Sequence, residues 1–145
     1  MELDRDETIK VLNGLVETEL AGAVRYTQYS MMVFGHGRIP IRSWMQEQAA
    51  EALAHATQVG EEVTTMGGKV SLGIGDLVGS HHATVDEMMQ EMLVHERHGL
   101  DQYRRLLELT EGRDVSLEEL AREMIRNESL HIAEIEKMAR KRGDA

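Results

Sequence analysis

A stretch near the C-terminus, from Leu117 to Met138, constrains the fold of this chain more than any other. Its apolar residues recur every three or four positions, as on the face of an α-helix that is directed toward a core. The residues of this face are Leu117, Ala121, Met124, Glu128, His131, Ile135 and Met138. Glu128 and His131 are unexpected there, because an ionised carboxylate in apolar surroundings costs several kcal/mol unless another charge compensates it. A bound metal ion would provide that compensation.

The same spacing predicts three further helices of similar length. The first is expected between Asp6 and Gly35, the second between Pro40 and Gly67, the third between Thr84 and Gly112, and the fourth from Ser116 onward. The last two begin with sequences typical of capping boxes, Thr84 with Glu87 and Ser116 with Glu119. Residues 69–80 are glycine-rich and unperiodic, and this connection is far longer than an antiparallel helix pair needs. The pattern predicts an all-α, ferritin-like four-helix bundle with one long crossover between helices two and three.

Composition narrows the possible functions. The 145 residues fit a single domain, 1–145, and contain no cysteine, which excludes thiol chemistry, cysteine-ligated zinc and iron–sulfur clusters. The acidic N-terminus is unlike a signal peptide, and no apolar run is long enough to cross a membrane, so we expect a cytoplasmic protein and no membrane partner. The formal charge of −10 argues against nucleic acid as a partner and favours cations.

Each predicted helix carries a candidate metal ligand near the middle of its apolar face. In chain order these residues are Glu19; Glu51 and His55; Glu96; and Glu128 and His131. The two halves also repeat: glycine follows both Glu19 and Glu96 after three residues, and Tyr26 and Tyr103 follow them after seven. A tyrosine two turns along lies on the same face, where its hydroxyl can hydrogen-bond a ligating carboxylate.

The chemistry of this set points to a pair of divalent cations. Four carboxylates would balance the charge of two such ions. Ligation that is rich in oxygen, with one imidazole per metal, suits iron or manganese better than zinc, and iron is our first choice.

These residues give the chain a resemblance to the bacterioferritins of the ferritin-like superfamily. The resemblance covers residues 8–140, and it is most specific at residues 13–26, 96–99 and 128–131. It implies that the ferroxidase ligands are Glu19, Glu51, His55, Glu96, Glu128 and His131, with Glu51 and Glu128 as bridging or terminal carboxylates. It also implies that the protein oxidises Fe²⁺ with O₂ or H₂O₂ for iron storage or detoxification.

The sequence departs from the family pattern at three places. Glu51 and His55 are four residues apart where the family has three, which leaves the geometry of that ligand pair open. The methionine that binds haem in bacterioferritins is replaced by Leu53, so haem or a related porphyrin would need Met45, Met31 or Met32 instead. The family's short fifth helix is missing, which favours a homo-oligomer that is a dimer or a shell of about twelve subunits.

Two other functions fit the same residues. A rubrerythrin-like peroxidase or oxygenase would keep the di-iron site but act on a small substrate as a discrete dimer. A metal-free helical interaction module would use the same polar residues as a buried hydrogen-bonded network.

Overall fold

The structure is a computed structural model, and it describes residues 2–77 and 84–140. Within these ranges the chain forms four α-helices and no strand: α1 (Arg5–Met32), α2 (Arg38–Thr65), α3 (Val85–Thr110) and α4 (Val115–Ala139). The predicted helices and their short, long and short connections are therefore confirmed, although the last three residues of the predicted crossover lie outside the described ranges. Over those ranges, no helix is both long and apolar enough to cross a membrane.

Side-chain caps fix where three of the helices begin. Asp4 accepts a hydrogen bond from the backbone N–H of Glu7 at 3.2 Å and so caps α1. Thr84 accepts one from the N–H of Glu87 at 3.2 Å, which confirms the predicted start of α3. Asp114 caps α4 through the N–H of Leu117 at 3.0 Å. The predicted caps Asp6 and Ser116 are each wrong by two residues, because an aspartate two positions earlier in the chain already accepts the exposed N–H groups of that helix end.

The turn between α3 and α4 depends on a glycine and an acidic residue. Gly112 has a φ of +73°, a left-handed conformation that side chains other than glycine disfavour. Its N–H donates to Glu118 Oε2 at 3.2 Å, and the other carboxylate oxygen of Glu118 pairs with Arg122 at 3.1 Å. Because Gly112 and Arg122 both bind the ionised form, the pKa of Glu118 is lowered.

The four helices form two compact units. One unit contains α1 and α2, and the other contains α3 and α4. Apolar side chains fill each unit, and those with essentially no exposure include Leu12, Leu15, Met45, Val59 and Val63 in the first, and Met88, Met92, Leu106, Met124 and Ile135 in the second. Buried polar side chains lie in both units as well, among them Glu19 and His55 in the first and Glu96 and Glu128 in the second.

The described part of the crossover lies along α1. Asn13 accepts a hydrogen bond from the backbone N–H of Ser71 at 2.9 Å, and the N–H of Gly75 donates to the carbonyl oxygen of Glu17 at 2.8 Å. A Cβ atom at Gly75 would lie 3.0 Å from that same carbonyl oxygen. The close approach of two backbones therefore requires glycine at this position, and the described part of the crossover packs against α1.

Candidate metal centre

Helices α1 and α2 bring Glu19 and His55 together in the interior of their unit. Both residues are buried, and His55 Nδ1 lies 3.7 Å from Glu19 Oε2. Two atoms that ligate one ion at about 2.1 Å lie roughly 3.0–3.4 Å apart, for angles near 90–110°. A shift of a few tenths of an ångström would therefore let both side chains bind one cation.

Glu51 lies on the other side of the same imidazole. Its Oε1 is 3.6 Å from His55 Nε2, whereas Glu19 faces Nδ1. The Glu51 side chain is 49% exposed, in contrast to 8% for Glu19. We refer to Glu19, Glu51 and His55 as the α1–α2 group. The structure brings all three together, but only two of them are buried.

Helices α3 and α4 hold a second set, Glu96, Glu128 and His131, which we refer to as the α3–α4 group. His131 Nδ1 lies 3.4 Å from Glu96 Oε2, and one ligand atom from each residue lies within 4.8 Å of the other two. Both carboxylates are buried, with Glu128 4% and Glu96 7% exposed. The predicted Glu-x-x-His pair of α4 and the single glutamate of α3 therefore meet, in an arrangement that can bind a cation.

The charge state of Glu96 shows how strongly the α3–α4 group favours its ionised form. Burial by itself would raise the pKa of Glu96. Hydrogen bonds with Glu128 and His131, together with the positive charges of His131 and His95, outweigh that effect and lower the pKa to about 2. Glu96 is therefore a carboxylate at any physiological pH, which is the form that ligates a metal.

The two groups differ at one position. In α4, Glu128 precedes His131 by three residues and is buried. In α2, the residue three before His55 is Ala52, whose side chain is also buried, and the carboxylate stands one position earlier, at Glu51. One residue rotates a side chain by about 100° around a helix axis. This rotation explains why Glu51 lies toward solvent, although a four-residue spacing was compatible with one shared face.

The remaining predicted site residues are buried. Tyr26 packs its ring against Trp44 with the centroids 5.8 Å apart and the planes nearly perpendicular, and Tyr103 has no exposed surface. Their predicted hydrogen bonds to ligating carboxylates stay predictions. Met45, the predicted haem ligand, has no exposed surface either. Its thioether could reach a porphyrin between subunits only if the interior of the α1–α2 unit opened.

Two residues outside the predicted set bear on the site, His95 and Ala52. His95 is the neighbour of Glu96 in the sequence, and its charge contributes to the low pKa of that carboxylate. Adjacent histidine and glutamate side chains on a helix are long enough to interact. The position of His95 directly before Glu96 was therefore the sequence signal for this interaction. Ala52 could have been noticed by aligning His55 with His131 and comparing the residues three positions before each.

Comparisons with known proteins agree with this architecture. A sequence model described as the ferritin-like domain matches residues 9–142. A solved structure described as "ferritin like, diiron-carboxylate proteins" from Bacillus anthracis str. Ames has a TM-score of 0.89 and 20% sequence identity, and the match covers 97% of this chain and 100% of that one. A dodecameric thioferritin from Bacteroides fragilis, described as bacterioferritin-related, has a TM-score of 0.83 and 18% identity over 94% of this chain and 86% of that one.

No protein of curated function matches the sequence. The two structural likenesses nevertheless confirm the predicted fold class, an all-α, ferritin-like four-helix bundle.

Proposed function

The chain belongs to the ferritin-like domain family, and from this premise we propose that it is a ferroxidase that oxidises Fe²⁺ with O₂ or H₂O₂. The proposed ligands are Glu19 and His55 of the α1–α2 group, with Glu51 beside them, and the whole α3–α4 group. The observation that carries the proposal is the α3–α4 group itself: two buried carboxylates and an imidazole within 4.8 Å, on the helices where the resemblance expects them.

The reaction needs two metal ions, one electron from each. Two Fe²⁺ ions would become two Fe³⁺ ions, while O₂ takes up two electrons and two protons to give H₂O₂, or H₂O₂ takes up two electrons and two protons to give water. The protein residues would offset the rising positive charge and hold the ions in place. Glu96 is already ionised, so it need not lose a proton when a cation binds.

An exposed apolar groove supports a homo-oligomer. The groove encloses about 400 Å³ on the α1–α2 unit. It is lined by Leu20, Ala23, Val24, Thr27, Gln28, Met31, Leu53 and Ile74. Met31 is 67% exposed and Leu53 is 53% exposed, which is unfavourable in water unless another surface covers them. We propose that a second copy of the chain covers this groove, in a dimer or in a shell of about twelve subunits.

The same groove bears on the haem prediction. Met31 lies at its surface, whereas Met45 is fully buried. If a porphyrin binds between subunits, we propose Met31 as its ligand ahead of Met45 and Met32, and a Soret absorption band that disappears in Met31→Leu would identify it. The absence of cysteine and the acidic surface fit a protein that works in the cytoplasm, where we propose that it acts.

The ferroxidase proposal can be tested by anaerobic titration. Purified apoprotein is titrated with Fe²⁺, air is admitted, and formation of Fe³⁺ is followed by absorbance. We expect two Fe²⁺ per chain, and loss of at least one in the double variant Glu128→Ala, His131→Ala. Glu123→Ala is the matched control, because Glu123 lies on the same helix but is exposed. Unchanged stoichiometry in the double variant would refute the assignment.

The same preparation separates the other two functions. A rubrerythrin-like peroxidase or oxygenase would turn over repeatedly with an external electron donor and would not accumulate Fe³⁺ mineral. A metal-free interaction module would bind no Fe²⁺, and its melting temperature would not change when Fe²⁺ is added.

A further inference from the structure

The structure assigns Glu51 a different part from the other five proposed ligands: we propose that it orients the His55 ring from outside and does not itself bind metal. This inference rests on the proposed function, because it concerns the α1–α2 group. The supporting observation is that Glu19 and Glu51 face different nitrogens of the His55 ring.

The two nitrogens of His55 face different carboxylates. Nδ1 is directed toward Glu19 at 3.7 Å, and Nε2 is directed toward Glu51 at 3.6 Å. The in-plane bonding directions of the two imidazole nitrogens diverge, so an ion bound at Nδ1 beside Glu19 is out of reach of an oxygen that faces Nε2. Glu51 and Glu19 therefore cannot both share one ion with His55 in this arrangement.

The α3–α4 group indicates which nitrogen binds metal. His131 also presents Nδ1 to its carboxylate partner, Glu96, at 3.4 Å. In both groups Nδ1 is the nitrogen that faces the glutamate of the neighbouring helix, and in both that glutamate is buried. Nε2 of His55 is then the outer nitrogen, which carries the proton when Nδ1 binds a cation.

A carboxylate that faces the outer nitrogen has a recognised role in metal sites. It accepts the hydrogen bond of the N–H, fixes the tautomer and the orientation of the ring, and makes the other nitrogen a better ligand. Glu51 has the required acceptor atom. A movement of roughly 0.5 Å would bring its oxygen from 3.6 Å to hydrogen-bonding distance. The exposure of Glu51 also fits this role. A carboxylate that accepts a hydrogen bond on the solvent side of the ring can stay hydrated, whereas a carboxylate that binds the metal ion is enclosed by protein.

The sequence explains why the carboxylate of α2 faces Nε2 of His55 and not Nδ1. Three residues before His55, where a carboxylate would share the inward face, the chain has Ala52. The methyl group of Ala52 is buried and offers no ligand atom. The carboxylate at the preceding position is rotated by about 100° and reaches the ring from the other side.

The test uses the full chain, with Co²⁺ as a metal probe under anaerobic conditions and with Glu51→Gln, Glu51→Ala and the control Glu47→Gln. Glu47 lies one turn earlier on α2 and is exposed. We expect all variants to bind as many Co²⁺ ions as the wild type. The Co²⁺ site of the α1–α2 group should lose about 10- to 100-fold in affinity in Glu51→Ala. Glu51→Gln should lose less, because its amide oxygen can still accept the Nε2–H bond. A lower stoichiometry in Glu51→Ala, or equal losses in Glu51→Ala and Glu51→Gln, would overturn the inference.

A second measurement on apoprotein separates this inference from the proposed function. Nitrogen-15 NMR of the imidazole reports which nitrogen carries the proton. We expect neutral His55 to be protonated at Nε2 in the wild type and in Glu51→Gln, and to lose that preference in Glu51→Ala. A proton on Nδ1 in the wild type would overturn the role of Glu51, whatever the metal titration shows. If the wild type binds no Co²⁺ and no Fe²⁺, the proposed function fails while the tautomer still decides the part of Glu51.

Discussion

Replacing Glu128 with methionine should stabilise the apoprotein while abolishing its stabilisation by metal at the α3–α4 group. Glu128 is 4% exposed and lies on the buried face of α4. A carboxylate in such a place is costly without a metal, and replacing buried charged groups by apolar ones of similar volume is often neutral or stabilising. The substitution removes the hydrogen bond between Glu128 and Glu96, but it leaves Glu96 paired with His131 at 3.4 Å, so the Glu96 carboxylate keeps an oppositely charged partner.

The size of the effect follows from these contacts. We expect Glu128→Met to raise the free energy of unfolding of the apoprotein by about 1–2 kcal/mol. For a chain of this length that corresponds to an increase of roughly 2–8 °C in melting temperature. A divalent cation at 100 times its dissociation constant should then stabilise the wild type by about 2.7 kcal/mol for each site, with no such contribution from the altered site in the variant. The order of the two melting temperatures should therefore reverse when metal is added.

The assay is thermal unfolding with and without Co²⁺, together with urea unfolding of the apoproteins. His131→Leu is the contrasting variant, because it removes the cation that faces Glu96, and it should destabilise the apoprotein by about 3–5 kcal/mol. Glu123→Met controls for adding an apolar residue to an exposed position of the same helix. If apo Glu128→Met is less stable than the wild type by 1 kcal/mol or more (about the net value of a lost hydrogen bond), then Glu128 is a structural residue and the electrostatic reasoning fails.

Three further predictions concern other parts of the chain. The pKa of Glu118 is lower in the folded state, so this carboxylate contributes to folding stability above its unfolded-state pKa, and the contribution is lost as the pH falls through the folded value. In urea unfolding, Glu118→Gln should therefore lose less stability than the wild type between pH 7 and pH 3. Glu119→Gln should behave like the wild type. Gly75→Ala should destabilise the protein by about 1–3 kcal/mol in the same assay, because the added methyl group meets a backbone carbonyl of α1 at 3.0 Å. Met31→Glu should lower the molar mass measured by light scattering if a second copy covers the groove, whereas Val94→Glu, at an equally exposed position of α3, should not.

The sequence predicted the helices well because their signals are local and repeated. Apolar residues at three- and four-residue spacing recur over about seven turns in each helix. The glycines that mark the ends of the first three predicted helices, Gly35, Gly67 and Gly112, have the left-handed conformation that glycine favours. The caps were less predictable. Asp4 and Asp114 compete with Asp6 and Ser116 for the same N–H groups, and the sequence does not show which acceptor is closer.

The candidate site was predictable in its composition but not in the part that each residue plays. The periodicity placed Glu96, Glu128 and His131 on inward faces, and the structure brings them together. Periodicity alone treats three- and four-residue steps as equivalent, because both are close to one helical turn of about 3.6 residues. It could not show that the carboxylate of Glu51 reaches the outer nitrogen of His55, which depends on the rotation of a single side chain around α2.

The α1–α2 and α3–α4 groups differ in their number of buried carboxylates, and this difference predicts the order in which metal ions bind. The α3–α4 group presents two buried carboxylates and one imidazole, which together neutralise one divalent cation. The α1–α2 group presents one buried carboxylate and one imidazole, and the charge of Glu51 stays partly hydrated. A cation loses its hydration shell on entering either group, and the residues of the first group offset that loss with two buried carboxylates where those of the second offer one. The first equivalent of Co²⁺ should therefore perturb the NMR signals of His131 before those of His55, and the second equivalent should bind more weakly. Equal changes of both histidines from the first addition onward would show that the outer position of Glu51 has no effect on affinity.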